Sequence, residues 1–227
     1  MLPYENDNEL FALIRRDLYT AVVGDIMDGM GLQHQFLPSR IKPLRDDMIL
    51  VGRAMTVQEA DIDLVPEDDP RLDQPFGIMF EALDSLRENE VYICSGSSDS
   101  YAVAGELMAT RAAYLKAAGF AVNGFIRDTR GLLKMGMPVF SIGTYAQDQG
   151  VRGKVTAYRV PIMVGDVLVK PGDIVFGDID GVLVIPQEQE KEILQKAYEK
   201  VSGENAVANA IRAGMSTVEA FATFGIM

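Results

Sequence analysis

The sequence predicts an α/β protein in which helices flank a β-rich core. Three observations predict it. Between residues 90 and 126 a strand, a loop, a helix and a second strand follow one another, a βαβ unit with parallel strands and a right-handed crossover. Short apolar runs separated by Gly, Pro and Asp turns fill residues 160–185, an antiparallel pattern. Helical spacing of apolar residues marks both ends, about 8–31 and 188–223. With 227 residues, 48% hydrophobic and 24% charged, the chain is long enough for a sizeable core and reads as one domain, 1–227.

The elements follow in order. Leu10, Leu13 and Ile14 lie on one helical stripe. Thr20 is placed to cap a second helix that buries Val22, Val23, Ile26 and Met27 and stops at Gly31. Residues 48–58 are partly alternating and β-branched, hence a strand, and the acidic, Pro-containing stretch 61–74 is a surface loop. Helical spacing returns over 76–86. The apolar run 90–94 is a buried strand, and 95–100 is a Ser-rich loop. A helix is expected over 104–118, then strands over 121–126 and 138–142. The β-rich segment extends over about 138–186. Turns at Gly165-Asp166, Lys170-Pro171-Gly172-Asp173 and Asp178-Ile179-Asp180-Gly181 divide its later strands. A helix over 188–213, weakest at Gly203, precedes a last turn in which Ser216 and Glu219 fit a capping box.

Composition excludes several functions. Acidic residues number 33 against 21 basic ones, a formal charge of −12, and such a field repels nucleic acid. A single cysteine, Cys94, and a single histidine, His34, rule out an internal disulfide, a Cys-rich zinc site and a multi-His metal centre. Any metal must therefore be held mainly by oxygen, which favours magnesium, manganese or calcium. There is no apolar run of membrane-spanning length and no basic, apolar leader at Met1-Leu2-Pro3, so a cytoplasmic protein without membrane contact is expected. The Ser95–Ser100 loop lacks the Gly-Lys-Ser/Thr ending of a phosphate loop, and Asp178-x-Asp180-Gly181 lacks the later Glu of a calcium loop. The lysines sit away from the predicted crevice, which disfavours Schiff-base chemistry. Cys94 ends an apolar strand and reads as an inert buried thiol.

The chemistry is expected beyond the carboxyl ends of the parallel strands. There the start of a helix, Gly105-Glu106-Leu107-Met108, offers free N–H groups to an anion. Arg127 offers a fork for a carboxylate or carbonyl, and Asp128 offers oxygen to a hard cation. Glu106 lies one crossover before them and can reach the same crevice. The same residues are also open to a plainer reading, in which Arg127 and Asp128 form a local salt bridge.

Gly105-Glu106-Leu107-Met108-Ala109-Thr110 with Gly124-Phe125-Ile126-Arg127-Asp128 resembles the RraA-like family, which includes the metal-dependent 4-hydroxy-4-methyl-2-oxoglutarate / 4-carboxy-4-hydroxy-2-oxoadipate aldolases. Further resemblance runs through Thr20–Asp25, Pro138–Phe140, Val164–Asp166, Pro171–Asp173, Asp178–Pro186 and Ile211–Ser216. It implies a compact α-β-β-α sandwich of the swivelling phosphohistidine-domain type, assembled as a homotrimer or homohexamer with the site at a subunit interface. It implies pyruvyl binding by the amides of Gly105, Glu106, Leu107 and Met108, with Arg127 on the keto oxygen. Asp128 would hold Mg2+ or Mn2+, and Glu106 would orient a water on that ion. Glu204 of a neighbouring subunit, or else Glu199, would supply a further acid. The implied activity is retro-aldol cleavage of a 4-hydroxy-2-oxo acid to pyruvate and a second oxo acid, with oxaloacetate decarboxylation through the same enolate. Two alternatives stand beside it: a lyase for another 2-oxo or sugar acid, and a non-catalytic regulator of the kind that binds RNase E. The regulators lack the Arg-Asp pair and the preceding acid, all of which this chain carries. The acidic cluster Glu67-Asp68-Asp69 departs from the family pattern.

Overall fold

In the computed structural model, which describes residues 2–225, the chain starts with helices α1 (Asp7–Asp17) and α2 (Thr20–Gly29). Asn6 caps α1 by accepting from the Glu9 amide. Thr20 is the first residue of α2 rather than its cap. Its amide and hydroxyl both donate to Asp178, so the expected cap is instead a tie to a distant β-turn. Strands β1 (Lys42–Pro43) and β2 (Leu50–Asp61) follow, then α3 (Met79–Asp84), β3 (Glu90–Ser95) and β4 (Ala102–Ala104). Next come α4 (Glu106–Tyr114), β5 (Gly119–Val122), β6 (Phe125–Ile126), α5 (Thr129–Met135) and β7 (Val139–Ser141). The chain ends with β8 (Gly153–Tyr158), β9 (Ile162–Val164), β10 (Val167–Val169), β11 (Ile174–Gly177), β12 (Val182–Ile185), α6 (Glu190–Arg212) and α7 (Thr217–Phe224).

The main sheet runs β1-β7-β5-β3-β2-β11-β12, with β8 pairing the far half of β2. Strands β2, β3, β5 and β7 are parallel, and β2, β11 and β12 are antiparallel, so the two predicted styles meet on one strand. The sheet curls until its two halves face one another: Phe140, Ile93 and Ala121 share a cluster with Val175, Val182 and Val184. Helices cover the outside in two groups. α3, α4 and α5 pack on Tyr92, Cys94, Phe120 and Val122; α1, α2 and α6 pack on Ile174, Phe176, Leu183 and Ile185. This is the expected α-β-β-α order, and period-two alternation along β3 sends Tyr92 and Cys94 outward to the helices and Val91 and Ile93 inward.

Several local expectations are corrected. The strand over 121–126 is two strands in different sheets, broken at Asn123-Gly124; β5 joins the main sheet, while β6 pairs in parallel with β4. The helix begins at Glu106, because Ala102–Ala104 is a strand. α5 lies where no element was expected, and β8 falls within the β-rich segment at a stretch assigned to no particular strand. α6 passes through Gly203 unbroken, and the Ser216/Glu219 capping box forms as expected. No helix among the described residues is long and apolar enough to cross a membrane.

Candidate active site

The small β4–β6 pair builds the site. Ala102 pairs with Phe125 and Ala104 with Ile126, so both strands end at the same place and point the same way. Gly105 leaves one and Arg127 leaves the other. The Arg127 amide donates to the Ala104 carbonyl at 2.9 Å, which clips the two exits together. α4 begins at once after Gly105, with Glu106, Leu107 and Met108 as its first turn. α5 begins at once after Asp128. Two helix starts therefore open beside each other, and both favour negative charge.

Three side chains and two backbone positions are held closely. A Cβ on Gly105 would come within 2.6 Å of Asp128 Oδ2, so only glycine allows the carboxylate this near the helix start. Asp128 Oδ2 is 3.4 Å from the Glu106 amide and 3.7 Å from Arg127 Nε. Asp128 has φ +56°, the left-handed region, a conformation costing an L-residue about 1 kcal/mol and one that clusters at functional positions. The Glu106 carboxylate lies over Gly131 of α5, in the space a side chain there would need.

Gly105, Leu107, Met108, Arg127 and Asp128 line one crevice of about 280 Å³. Glu106 stands behind them in an adjoining hollow that it shares with Asp128, Thr129 and Gly131. Two further lining residues carry no sequence signal: Asp148, whose Oδ1 is 2.8 Å from Arg127 Nη1, and Gln149. They arrive because Ala102 bridges to Asp148 in parallel and its amide donates to the Gln147 carbonyl at 2.8 Å. No repeat or spacing pattern foretells a long-range bridge of this kind. Arg127, Asp128 and Asp148 are 38%, 45% and 43% exposed, so their ion pairs are weak and a ligand can replace them at little cost.

Beneath Gln149 lies Glu59 of β2, fully buried, whose two carboxyl oxygens accept from Gln149 Nε2 at 2.9 and 3.2 Å. Burial, aided by the charge of Asp61 and opposed by the Gln149 hydrogen bond, pushes this carboxyl up to about 8. Burial likewise raises the Cys94 thiol well above its ordinary range, in keeping with an inert cysteine.

Glu204 lies elsewhere in the chain. It sits on α6, where it accepts from the Tyr19 hydroxyl and lies 3.6 Å from Lys200 Nζ; Lys200 also binds Asp25 at 2.5 Å. Burial, with the hydrogen bond to Glu204, pushes the Tyr19 phenol up to about 12. Glu199 accepts from Gln195 at 2.6 Å. Neither acid is among the residues that line the crevice of its own chain. Asp178-Ile179-Asp180-Gly181 is a β-turn, as expected, closed by the Asp178 and Gly181 backbones.

Among the described residues, no three His, Cys, Asp or Glu side chains are grouped as a metal cage. The crevice instead presents hard oxygen from Asp128, with Glu106 beside it and solvent in front. That donor set fits magnesium or manganese, which take one or two carboxylates and fill their other positions with water or substrate oxygens.

Residues 20–184 match the RraA-like family, described as Aldolase/RraA. A protein of Halalkalibacterium halodurans named "Putative 4-hydroxy-4-methyl-2-oxoglutarate aldolase" is 33% identical over 207 residues, 91% of this chain and 90% of its own length. Among solved structures, one described under novel cellulases from microbes of the gut ecosystem is 35% identical with a TM-score of 0.79, covering 91% of this chain and 89% of that one. Streptomyces coelicolor RraAS2, described as an unusual member of the RNase ES inhibitor RraA protein family, is 25% identical with a TM-score of 0.76, covering 89% of this chain and 98% of its own. The family match spans the whole crevice-forming segment and the fold match nearly the whole chain: the chain belongs to the Aldolase/RraA family.

Proposed function

We propose that the protein is a metal-dependent pyruvate lyase that cleaves a 4-hydroxy-2-oxo acid such as 4-hydroxy-4-methyl-2-oxoglutarate to pyruvate and a second oxo acid, and decarboxylates oxaloacetate through the same enolate. The observation that carries this reading is the convergence of an anion-binding helix start, one guanidinium and the half-exposed Asp128 carboxylate on a single crevice. The amides of Gly105, Glu106, Leu107 and Met108, at the start of α4, hold the pyruvyl carboxylate. Arg127 exchanges Asp148 for the keto oxygen and meets the negative charge that gathers there as the bond breaks. Asp128 holds Mg2+ or Mn2+, which when bound supplies Lewis-acid stabilisation of the same charge. Glu106, poised over Gly131, orients the water that takes the C4 hydroxyl proton. A homotrimer or homohexamer brings the partner subunit's Glu204 to the crevice as the remaining acid, with Glu199 as the alternative. We place the protein in the cytoplasm, with no nucleic-acid or membrane partner.

The test is pyruvate release from oxaloacetate and from 4-hydroxy-4-methyl-2-oxoglutarate, coupled to NADH oxidation. Turnover is expected with magnesium or manganese, and it should vanish with excess chelator. Asp128→Ala should lower it by about 10³-fold, since several kcal/mol of charge stabilisation are removed. Turnover that survives both treatments would overturn the role of Asp128. The regulator reading, favoured by the resemblance to RraAS2, predicts no turnover and an unchanged binding partner after Asp128→Ala.

A further inference from the structure

Glu106 opens on a second hollow beside the crevice. This hollow, of about 340 Å³, is lined by Glu106, Asp128, Thr129, Arg130, Gly131 and Lys134. It shares Asp128 with the crevice that holds Arg127. Arg130 and Lys134 stand four residues apart on α5, so their side chains rise from one face of the helix.

Two like charges at this spacing repel one another, and nothing in their own chain offsets the cost. Acidic residues outnumber basic ones by 33 to 21. Lys170, Lys196 and Lys200 each hold a carboxylate, at 3.0, 2.7 and 2.5 Å. Among the described residues Arg130 and Lys134 hold none, although the Glu106 carboxylate lies in the same hollow, over Gly131.

The hollow lies on the side of the site that faces C4. Under the lyase reading the pyruvyl carboxylate rests on the start of α4, and the C4 hydroxyl gives its proton to water oriented by Glu106. C4 therefore faces Glu106, and the group it carries extends into the hollow. With Asp128 committed to a divalent cation, Glu106 alone opposes the two side-chain cations, and the hollow carries surplus positive charge. From this placement we infer that Arg130 and Lys134 bind the second carboxylate of the substrate, the one that leaves in the oxo-acid product, and so set a preference for dianionic 4-hydroxy-2-oxo acids. The planar fork of Arg130 meets the two oxygens, and Lys134 adds a point charge beside it. The inference rests on the pyruvate-lyase reading above.

The experiment compares 4-hydroxy-2-oxoglutarate with 4-hydroxy-2-oxopentanoate, which carry a carboxylate and a methyl group on C4. They release glyoxylate and acetaldehyde beside the common pyruvate. The native kcat/KM is expected to favour the glutarate by about 10-fold or more, and Arg130→Gln should move that ratio about 10-fold toward the pentanoate, as loss of one charge-assisted bond demands. Lys134→Gln should move it about 3- to 10-fold, and Arg130→Lys, which keeps the charge but not the fork, by less than Arg130→Gln. Both residues are exposed, so the core is untouched by these changes. A native preference for the pentanoate would overturn the inference, as would a ratio unmoved by both Gln variants. An unmoved ratio with a smaller assembly in sedimentation velocity would assign the two cations to a subunit contact instead. Deuterium exchange into the pyruvate methyl group, read by NMR, reports enolate formation without any C4 half. Exchange by the native protein together with an unmoved ratio would sink this inference alone. Absence of both exchange and cleavage would overturn the lyase reading and this inference with it.

Discussion

Glu59 shows how a single buried carboxyl couples stability to pH. Among the described residues its carboxyl has one hydrogen-bond partner, Gln149, and the titratable neighbours that feel its charge are Asp61, Tyr92, Cys94 and Tyr101. Burial raises it from an ordinary 4.5 to about 8, so between those values the folded protein holds one more proton than the unfolded chain. Stability from this group is full below about 4.5 and is lost as pH rises to about 8. Glu59→Gln keeps the shape and an acceptor for Gln149 but cannot ionise. Urea unfolding should show the two proteins alike near pH 4 and the variant more stable by about 1–3 kcal/mol at pH 8. Parallel stability curves across that range would show that Glu59 titrates normally. The Tyr92 hydroxyl nearby is buried without a hydrogen-bond partner, which marks this layer as one held by packing rather than by polar pairing.

At the scale of elements, the meeting of α4 and α5 decides where Glu106 stands. Gly131 is the third residue of α5, and a methyl group there would overlap the Glu106 carboxylate. Gly131→Ala improves helix propensity by about 1 kcal/mol and displaces only the far end of an exposed side chain. The expected outcome is therefore an unchanged or slightly raised Tm with kcat lowered about 10- to 100-fold, as when an orienting group is moved. An unchanged kcat would show that Glu106 does not act from this position. The same pair of helices shows what the sequence made legible. Gly105-Glu106-Leu107-Met108 could be placed at a helix start and Arg127-Asp128 at a strand end because helical spacing marks 104–118 and an apolar run marks 121–126. The two-strand pair that joins them could not, because β4 and β6 are only three and two residues long and carry no period. Asp148 and Gln149 were invisible for the same reason: their place depends on one bridge to Ala102, 46 residues upstream. α5 is seven residues, with no capping side chain at its start and a left-handed entry, so none of the usual signals announced it. The long helix α6, the capped α7 and the β9–β10 and β11–β12 hairpins rest on local chemistry, and they stood out.

The whole molecule separates its stability from its chemistry along the length of β2. The crevice lies past the carboxyl ends of the parallel strands, near Gln58 and Glu59. At the opposite end, Arg53 pairs across the sheet with Glu90, the first residue of β3. Arg53 is a hub: its Nε and Nη2 donate to Asp7 at 2.8 and 2.7 Å, it bonds Glu190, and Nη1 reaches the Gly172 carbonyl at 3.2 Å. Its guanidinium also lies 5.7 Å from the centre of the Phe11 ring. Asp7 and Glu190 are the first residues of α1 and α6, so one side chain fastens both helices to the central sheet. Arg53→Met keeps the apolar stem but leaves Glu190, whose side chain is 11% exposed, without its cation. Breaking such a pair costs about 3–5 kcal/mol, reduced here because each acid sits at a helix start that favours negative charge, so about 2–4 kcal/mol is expected. Glu190→Gln combined with Arg53→Met should recover part of the loss, since no unpaired charge then remains. Because the hub and the crevice occupy opposite ends of β2, the variant should keep its KM and kcat at temperatures well below its lowered Tm. A loss of turnover in the folded variant would show that α1, α6 and the site are mechanically joined through the sheet.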